Sequence, residues 1–366
     1  MANIEKLLKE RNIPDALTFN SGKAVSCVSD FEKRRCELKK ILENEIYGVM
    51  PKKPDHLTVD IVSEDAVFCA GKAPLRKYNA KCRFGEREFS IPFYSVIPKS
   101  DKPLPAFVHI NFRDNVPDKY MPSEELCDRG FAVFSFCYND VSVDDPAVDK
   151  LRDKVGKYLL PARRSKNSPG KIALWAWFAM RVMDYIETLD TIDKDNVAVV
   201  GHSRLGKTAL LTGAFDERFK YVISNCSGCS GAAITRGKIG ESVQRITSVF
   251  PHWFCKNYLD NADDFESRGF DQNFLMALSV PRHILVGSAE DDLWADPTSE
   301  FLCLAETNKA YALYGMKGLI HNDEIPAPGS VLSDGDASYH HRKGRHYFSR
   351  EDWLVYMDFI EKNINK

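Results

Sequence analysis

The stretch NVAVVGHSRLGKTAL sets Ser203 between Gly201 and Gly206, where a short apolar run gives way to a small-residue helix pattern. A serine on such a strand-to-helix turn is lifted off the sheet edge, and the helical turn after it begins with backbone N–H groups that have no partner. Those groups can hold the charge that develops on a carbonyl oxygen under attack. The chemistry this spacing suits is therefore acyl transfer with Ser203 as nucleophile. The spacing is one residue longer than G-x-S-x-G, but both glycines still permit close approach of strand and helix. The plainer alternative makes Ser203 a helix N-cap, a role serine fills well. It leaves Arg204 and Lys207 unexplained: two cations so near the serine would make the mouth of a site positive and favour an oxyanion or an acidic sugar.

Such a serine needs a base and an orienting acid, in the chain order serine, acid, histidine. Among nine histidines, His340, His341 and His346 lie in the C-terminal stretch DASYHHRKGRHYF. The first two read as the end of a strand, and His346 falls in the loop after Gly344, where an imidazole has freedom to reach the serine. Between nucleophile and histidine, PRHILVGSA reads as a strand followed at once by Glu290, Asp291 and Asp292. Either Asp291 or Asp292 can hold the imidazole in its proton-accepting tautomer. Asp296 reads as structural. Cys226 and Cys229 form a CxxC with no second pair at zinc-site spacing, so neither a metal nor an organic cofactor is expected.

The elements that must position these residues alternate. LPAFVHINF, GFAVFSFCY, NVAVVGHS, FKYVISNC and PRHILVGSA are nearly continuous apolar runs, as strands buried on both faces of a parallel sheet require. Helix patterns lie between them: SEELCDRG, GKIALWAWFAMRVMDYIETLD, RLGKTALLTGAFD and DPTSEFLCLAETNKAYALYG. HLTVDIV and KCRFGEREFSIPFYSVIP alternate and predict an antiparallel portion ahead of the central sheet. The last helix, SREDWLVYMDFIEKN, opens on Ser349 with Asp352 three residues on, a capping-box pattern. The expected fold is an α/β-hydrolase three-layer sandwich: a mostly parallel central sheet, an antiparallel N-terminal part and helices on both faces. Residues 1–50 read as a helical N-terminal extension and residues 51–366 as the catalytic domain.

In 366 residues, 44% hydrophobic and 28% charged, there is enough apolar material for a sizeable core, which excludes a disordered chain. The formal charge of −2 comes without a basic stripe, so no nucleic-acid partner is expected. No apolar run approaches the roughly 18 residues of a membrane span, and the N-terminal MANIEKLLKERNIPDALTF lacks the apolar stretch of an export signal. No membrane partner and a cytoplasmic location are the expectations. The ten cysteines are scattered, several inside apolar runs, and are expected to be free thiols.

Taken together, the blocks GKIALWAWFAMRVMDY, GHSRLGKTAL, DERFKYVISNCSGCSGAAITR, PHWF, DQN, EDDLWADP and RKGRH, in one order over about residues 105 to 363, resemble the glucuronoyl-esterase family of carbohydrate esterases (carbohydrate esterase family 15), in its bacterial, acetyl-xylan-esterase-like branch. The resemblance implies a serine ester hydrolase acting on a small-molecule or oligosaccharide ester, a glucuronate ester or an acetylated sugar. It further implies Ser203 as nucleophile, His346 as base, Arg204 beside the oxyanion, Lys207 on the hydroxyls of a glucuronate-like ring and Trp253 as an apolar pocket wall, with Glu241 or Gln244 adding polar contacts. Two positions depart from the family pattern. His202 stands where those esterases have cysteine, and Cys226 stands where they often place the catalytic glutamate. Cysteine cannot orient an imidazole as a carboxylate does, which shifts the acid role to Asp291 or Asp292.

Overall fold

The computed structural model describes residues 3–147, 155–160 and 163–364. Its centre is one sheet of ten strands: β1 (His56–Asp65), β2 (Leu75–Phe84), β3 (Arg87–Val96), β4 (Leu104–Asn111), β5 (Ala132–Cys137), β6 (Ile192–His202), β7 (Tyr221–Asn225), β8 (His283–Ala289), β9 (Ser330–Leu332) and β10 (Ala337–Arg342). They lie in the order β1-β2-β3-β5-β4-β6-β7-β8-β10-β9. Pairing is antiparallel from β1 to β5, parallel from β5 through β10, and antiparallel again at the short edge strand β9. This is the α/β-hydrolase sandwich expected from the alternating strand and helix patterns.

The apolar runs read as doubly buried strands are buried along their length, as in β5, β7 and β8. Their successive side chains feed two separate cores, because residues alternate across a sheet. Ala106, Val108 and Ile110 of β4, Val197 and Val199 of β6, and Ile284 and Val286 of β8 face one cluster. Phe107, Ala198, Val200 and Leu285 face the other. The first cluster is closed by the helices Lys171–Ile186 and Arg204–Phe215, the second by Arg350–Asn363, whose Trp353, Tyr356 and Phe359 are fully sequestered. The capping box at Ser349 and Asp352 is formed in both directions, so it starts this helix at a defined residue just after the His346 loop.

The N-terminal helices, Ile4–Glu10 and Val28–Leu42, pack on the first cluster through Ile4, Phe31, Leu38 and Leu42. Polar residues on their inner face are satisfied by the body: Arg35 donates to Val280 O at 2.6 Å and to Glu217 at 2.7 Å. Two elements differ from expectation. The single helix predicted over DPTSEFLCLAETNKAYALYG is two, Pro297–Glu306 and Asn308–Leu313, joined at Thr307. The edge strand β9 has three residues and no alternation to betray it. All ten cysteines are free thiols, and no helix among the described residues is long and apolar enough to cross a membrane.

Candidate active site

Because β6, β7, β8 and β10 run parallel and side by side, the residues that follow them emerge on one edge of the sheet. Ser203 follows β6, Cys226 follows β7, Asp292 comes after β8 and His346 after β10. Ligands of open α/β sheets bind at this carboxyl edge. Ser203 takes φ 59° and ψ −126°, a conformation that non-glycine residues adopt rarely and that marks a functional turn. Gly201 makes the turn feasible: a Cβ there would lie 2.1 Å from the backbone oxygen of Leu205. Ser203 is half-buried and makes no side-chain capping hydrogen bond, so the N-cap reading of this serine does not hold.

His346 Nδ1 donates to Oδ2 of Asp292 at 2.6 Å. The Asp292 side chain is 4% exposed and that of His346 44% exposed, so the pair runs from the interior to the surface. Burial pushes the Asp292 carboxyl up, but the His346 hydrogen bond and the Ala295 N–H outweigh it and hold the group below its ordinary value. The imidazole ring packs 4.5 Å from the ring of His202, the residue before Ser203. His202 is itself buried, with Nδ1 2.7 Å from Asn225 Oδ1. Burial, and then the neighbouring His346, lowers it to about 3, so His202 is a neutral wall behind the base. Of the two acids left open by the sequence, only Asp292 meets His346; Asp291 is exposed, and its backbone N–H bonds Gly344 O at 2.9 Å. His340 and His341 lie buried in β10, facing Asp352 and Pro326 O.

Arg204 is clamped rather than free. Its guanidinium is paired with the buried Asp144 and sits over Trp253 at 4.7 Å, with Phe250 at 5.5 Å and Phe112 at 5.7 Å. Asp144 also accepts from His252 Nε2 at 2.7 Å and Trp253 Nε1 at 2.6 Å. Burial raises the Asp144 carboxyl, but these donors overcome it and bring it to about 2. The Nε of Arg204 is buried with no hydrogen-bond partner among the described residues. Lys207 is buried, donates to Ser227 O and stands 4.0 Å from Glu241. Burial lowers its pKa and Glu241 opposes the shift.

Trp253 and Gln244 lie in different surroundings. Trp253 is 3% exposed, stacks on Phe250 at 4.0 Å and lies under the Arg204 guanidinium. Gln244 is exposed on the helix Val243–Val249 and lines a separate depression with Thr235, Lys238 and Phe265. Two residues of interest were not anticipated. Asp144, in the loop after β5, carries no sequence signal beyond an acidic VSVDDP segment. Trp294, 53% exposed and two residues beyond Asp292, lies inside the EDDLWADP block and joins the Glu241 segment through a hydrogen bond from Glu241 N to its carbonyl.

The glucuronyl esterase family of fungi matches residues 82–315. Carbohydrate esterase MZ0003, from an unknown prokaryotic organism, is 32% identical over 98% of this chain and 91% of its own length. The chain belongs to carbohydrate esterase family 15. A promiscuous esterase of this family from a marine bacterial metagenome superposes with a TM-score of 0.85 at 30% identity, over 95% of this chain and 96% of the other. The family's glucuronoyl esterase from Teredinibacter turnerae gives 0.88 at 27% identity, over 99% and 90%. The 4-O-methyl-glucuronoyl methylesterase of Thermothelomyces thermophilus is 27% identical over 83% of this chain and 72% of its own. The family is one of carbohydrate-ester hydrolases, and this member keeps its fold from the N-terminal helices to the last.

Proposed function

We propose that the protein is a serine esterase that cleaves an ester of a glucuronate-type sugar acid through an acyl-enzyme, with Ser203, His346 and Asp292 as its catalytic residues. The observation that carries this reading is the 2.6 Å hydrogen bond between Asp292 and His346, standing beside a strained serine turn at the carboxyl edge of the sheet. His346 takes the Ser203 proton as the hydroxyl oxygen attacks the ester carbonyl, and Asp292 fixes the tautomer and balances the imidazolium. The oxyanion is held by the N–H groups that open the helix after Ser203 and by Arg204, whose Nε has no other partner among the described residues. The alcohol leaves with the proton from His346, and water releases the acid by the same steps reversed.

The paired donors and acceptors beside the serine support a substrate rich in hydroxyls. Lys207 spends one donor on Ser227 O and has others for ring hydroxyls, with Glu241 beside it as an acceptor. The half-exposed imidazole and the exposed Trp294 leave the site open at the surface, which suits an oligosaccharide ester as well as a small one. The names of the relatives, glucuronoyl and 4-O-methyl-glucuronoyl esterases, point the same way. The test compares kcat/KM for methyl glucuronate and for an aryl acetate. Methyl glucuronate is expected to be the better substrate by at least about tenfold, roughly 1.4 kcal/mol of transition-state preference. The opposite ranking would make the protein a deacetylase.

A further inference from the structure

Cys226 leaves β7 at the strand end that lies between those of Ser203 and Asp292. Its sulfur, a carboxylate oxygen of Asp292 and an imidazole nitrogen of His346 lie within 4.8 Å of one another. The proposed hydrolysis uses the second and third of these groups and leaves the thiol idle. Thiolate, imidazole and carboxylate together form the mixed donor set of a borderline-soft divalent cation, and three protein ligands with an open fourth position are the usual pattern of an accessible zinc site. Tetrahedral zinc with bonds of about 2.0–2.3 Å sets its donors about 3.3–3.7 Å apart, so modest side-chain rotation closes the site. Two ligands are already fixed. Cys226 is held at φ 47° with its N–H on Gly287 O at 2.7 Å, and Asp292 is buried. The third, His346, is exposed and gives the cation a way in.

We propose that Cys226, Asp292 and His346 form a binding site for a zinc-like divalent cation, and that its occupancy switches hydrolysis off by withdrawing the acid and the base from Ser203. Binding displaces one proton, that of the Cys226 thiol, to water; the Asp292 carboxylate is already ionised, and the neutral imidazole of His346 keeps its proton on the nitrogen that does not face the cation. No oxidation state changes. The loss of activity rests on the esterase reading above, while the cation site stands independently of it.

The experiment titrates the full-length, metal-free protein with Co²⁺ and follows the thiolate-to-cobalt charge-transfer band, in wild type, Cys226→Ala and Cys226→Ser. Wild type is expected to show the band at one equivalent and to lose it when Zn²⁺ is added. Cys226→Ala should show none, and Cys226→Ser, which keeps the side-chain volume, guards against a folding artefact. In parallel, Zn²⁺ should lower wild-type hydrolysis of methyl glucuronate at least tenfold, reversibly with a chelator, and lower that of Cys226→Ala less than twofold at the same concentration. A wild type without the band, a band that persists in both variants, or equal zinc inhibition of wild type and Cys226→Ala would each overturn the proposal. A band lost with Cys226, in a protein that hydrolyses nothing when metal-free, would uphold the cation site and sink the esterase reading.

Discussion

Replacing Asp292 by asparagine while leaving the neighbouring Asp291 intact, and then the reverse, separates two adjacent carboxylates that the sequence leaves equivalent. During attack His346 becomes an imidazolium beside Asp292. Unit charges about 4 Å apart at an effective dielectric of about 20 attract by about 4 kcal/mol. His346 is 44% exposed, so water screens part of this; about 3 kcal/mol remains, which is roughly a hundredfold in rate. Asparagine also presents an N–H where the carboxylate accepted one, which favours the wrong imidazole tautomer; the same change in serine proteases costs about 10⁴-fold. Asp292→Asn should therefore lower kcat on methyl glucuronate by roughly 10² to 10⁴, with KM little changed. Asp291 is exposed and bonds the His346 loop only through its backbone, so Asp291→Asn should stay within about twofold. Steady-state kinetics on both variants, with unfolding curves to show each is folded, provide the comparison. Equal losses, or the larger loss at Asp291, would refute the reasoning.

Two further outcomes follow from the packing. Gly201→Ala drives a Cβ to 2.1 Å from the Leu205 carbonyl oxygen, which is backbone and cannot yield cheaply; it should cost at least about 2 kcal/mol in denaturant unfolding and most of the activity, and an unchanged midpoint would contradict the turn geometry. Burial raises the Glu300 carboxyl from 4.5 to about 7, so the folded state holds a proton that the unfolded state gives up. The associated stability is full below about pH 4.5 and is lost as pH rises to about 7, about 3 kcal/mol in all. Glu300→Gln should remove that decline, so the stability difference between variant and wild type, measured by unfolding at pH 4.5 and pH 8, should shift by about that amount in favour of the variant.

Much of this arrangement was legible in the sequence because it rests on local rules. Strands buried on both faces must be apolar throughout, and that identified β4 to β8. A serine flanked by Gly201 and Gly206 at a strand-to-helix junction identified the turn, and chain order placed acid before histidine. The rest depends on directions that one residue in a turn decides. Asp291 and Asp292 are chemically alike, yet only the second points inward, because the backbone after β8 turns at that residue. Trp253 sits in a block shared with the family, but the block does not say whether the ring faces substrate or the underside of Arg204. Asp144 is far from Arg204 in sequence and follows no periodic pattern, so only the folded chain brings them together.

The central claim is that Ser203 is a nucleophile activated by His346. Intact-protein mass spectrometry after exposure to a fluorophosphonate tests it most directly. A single adduct mapping to the Ser203 peptide is predicted for wild type, slowed by excess methyl glucuronate, at least about 100-fold slower in His346→Ala and absent in Ser203→Ala. An adduct formed at the same rate in Ser203→Ala, or none in the folded wild type, would contradict the account.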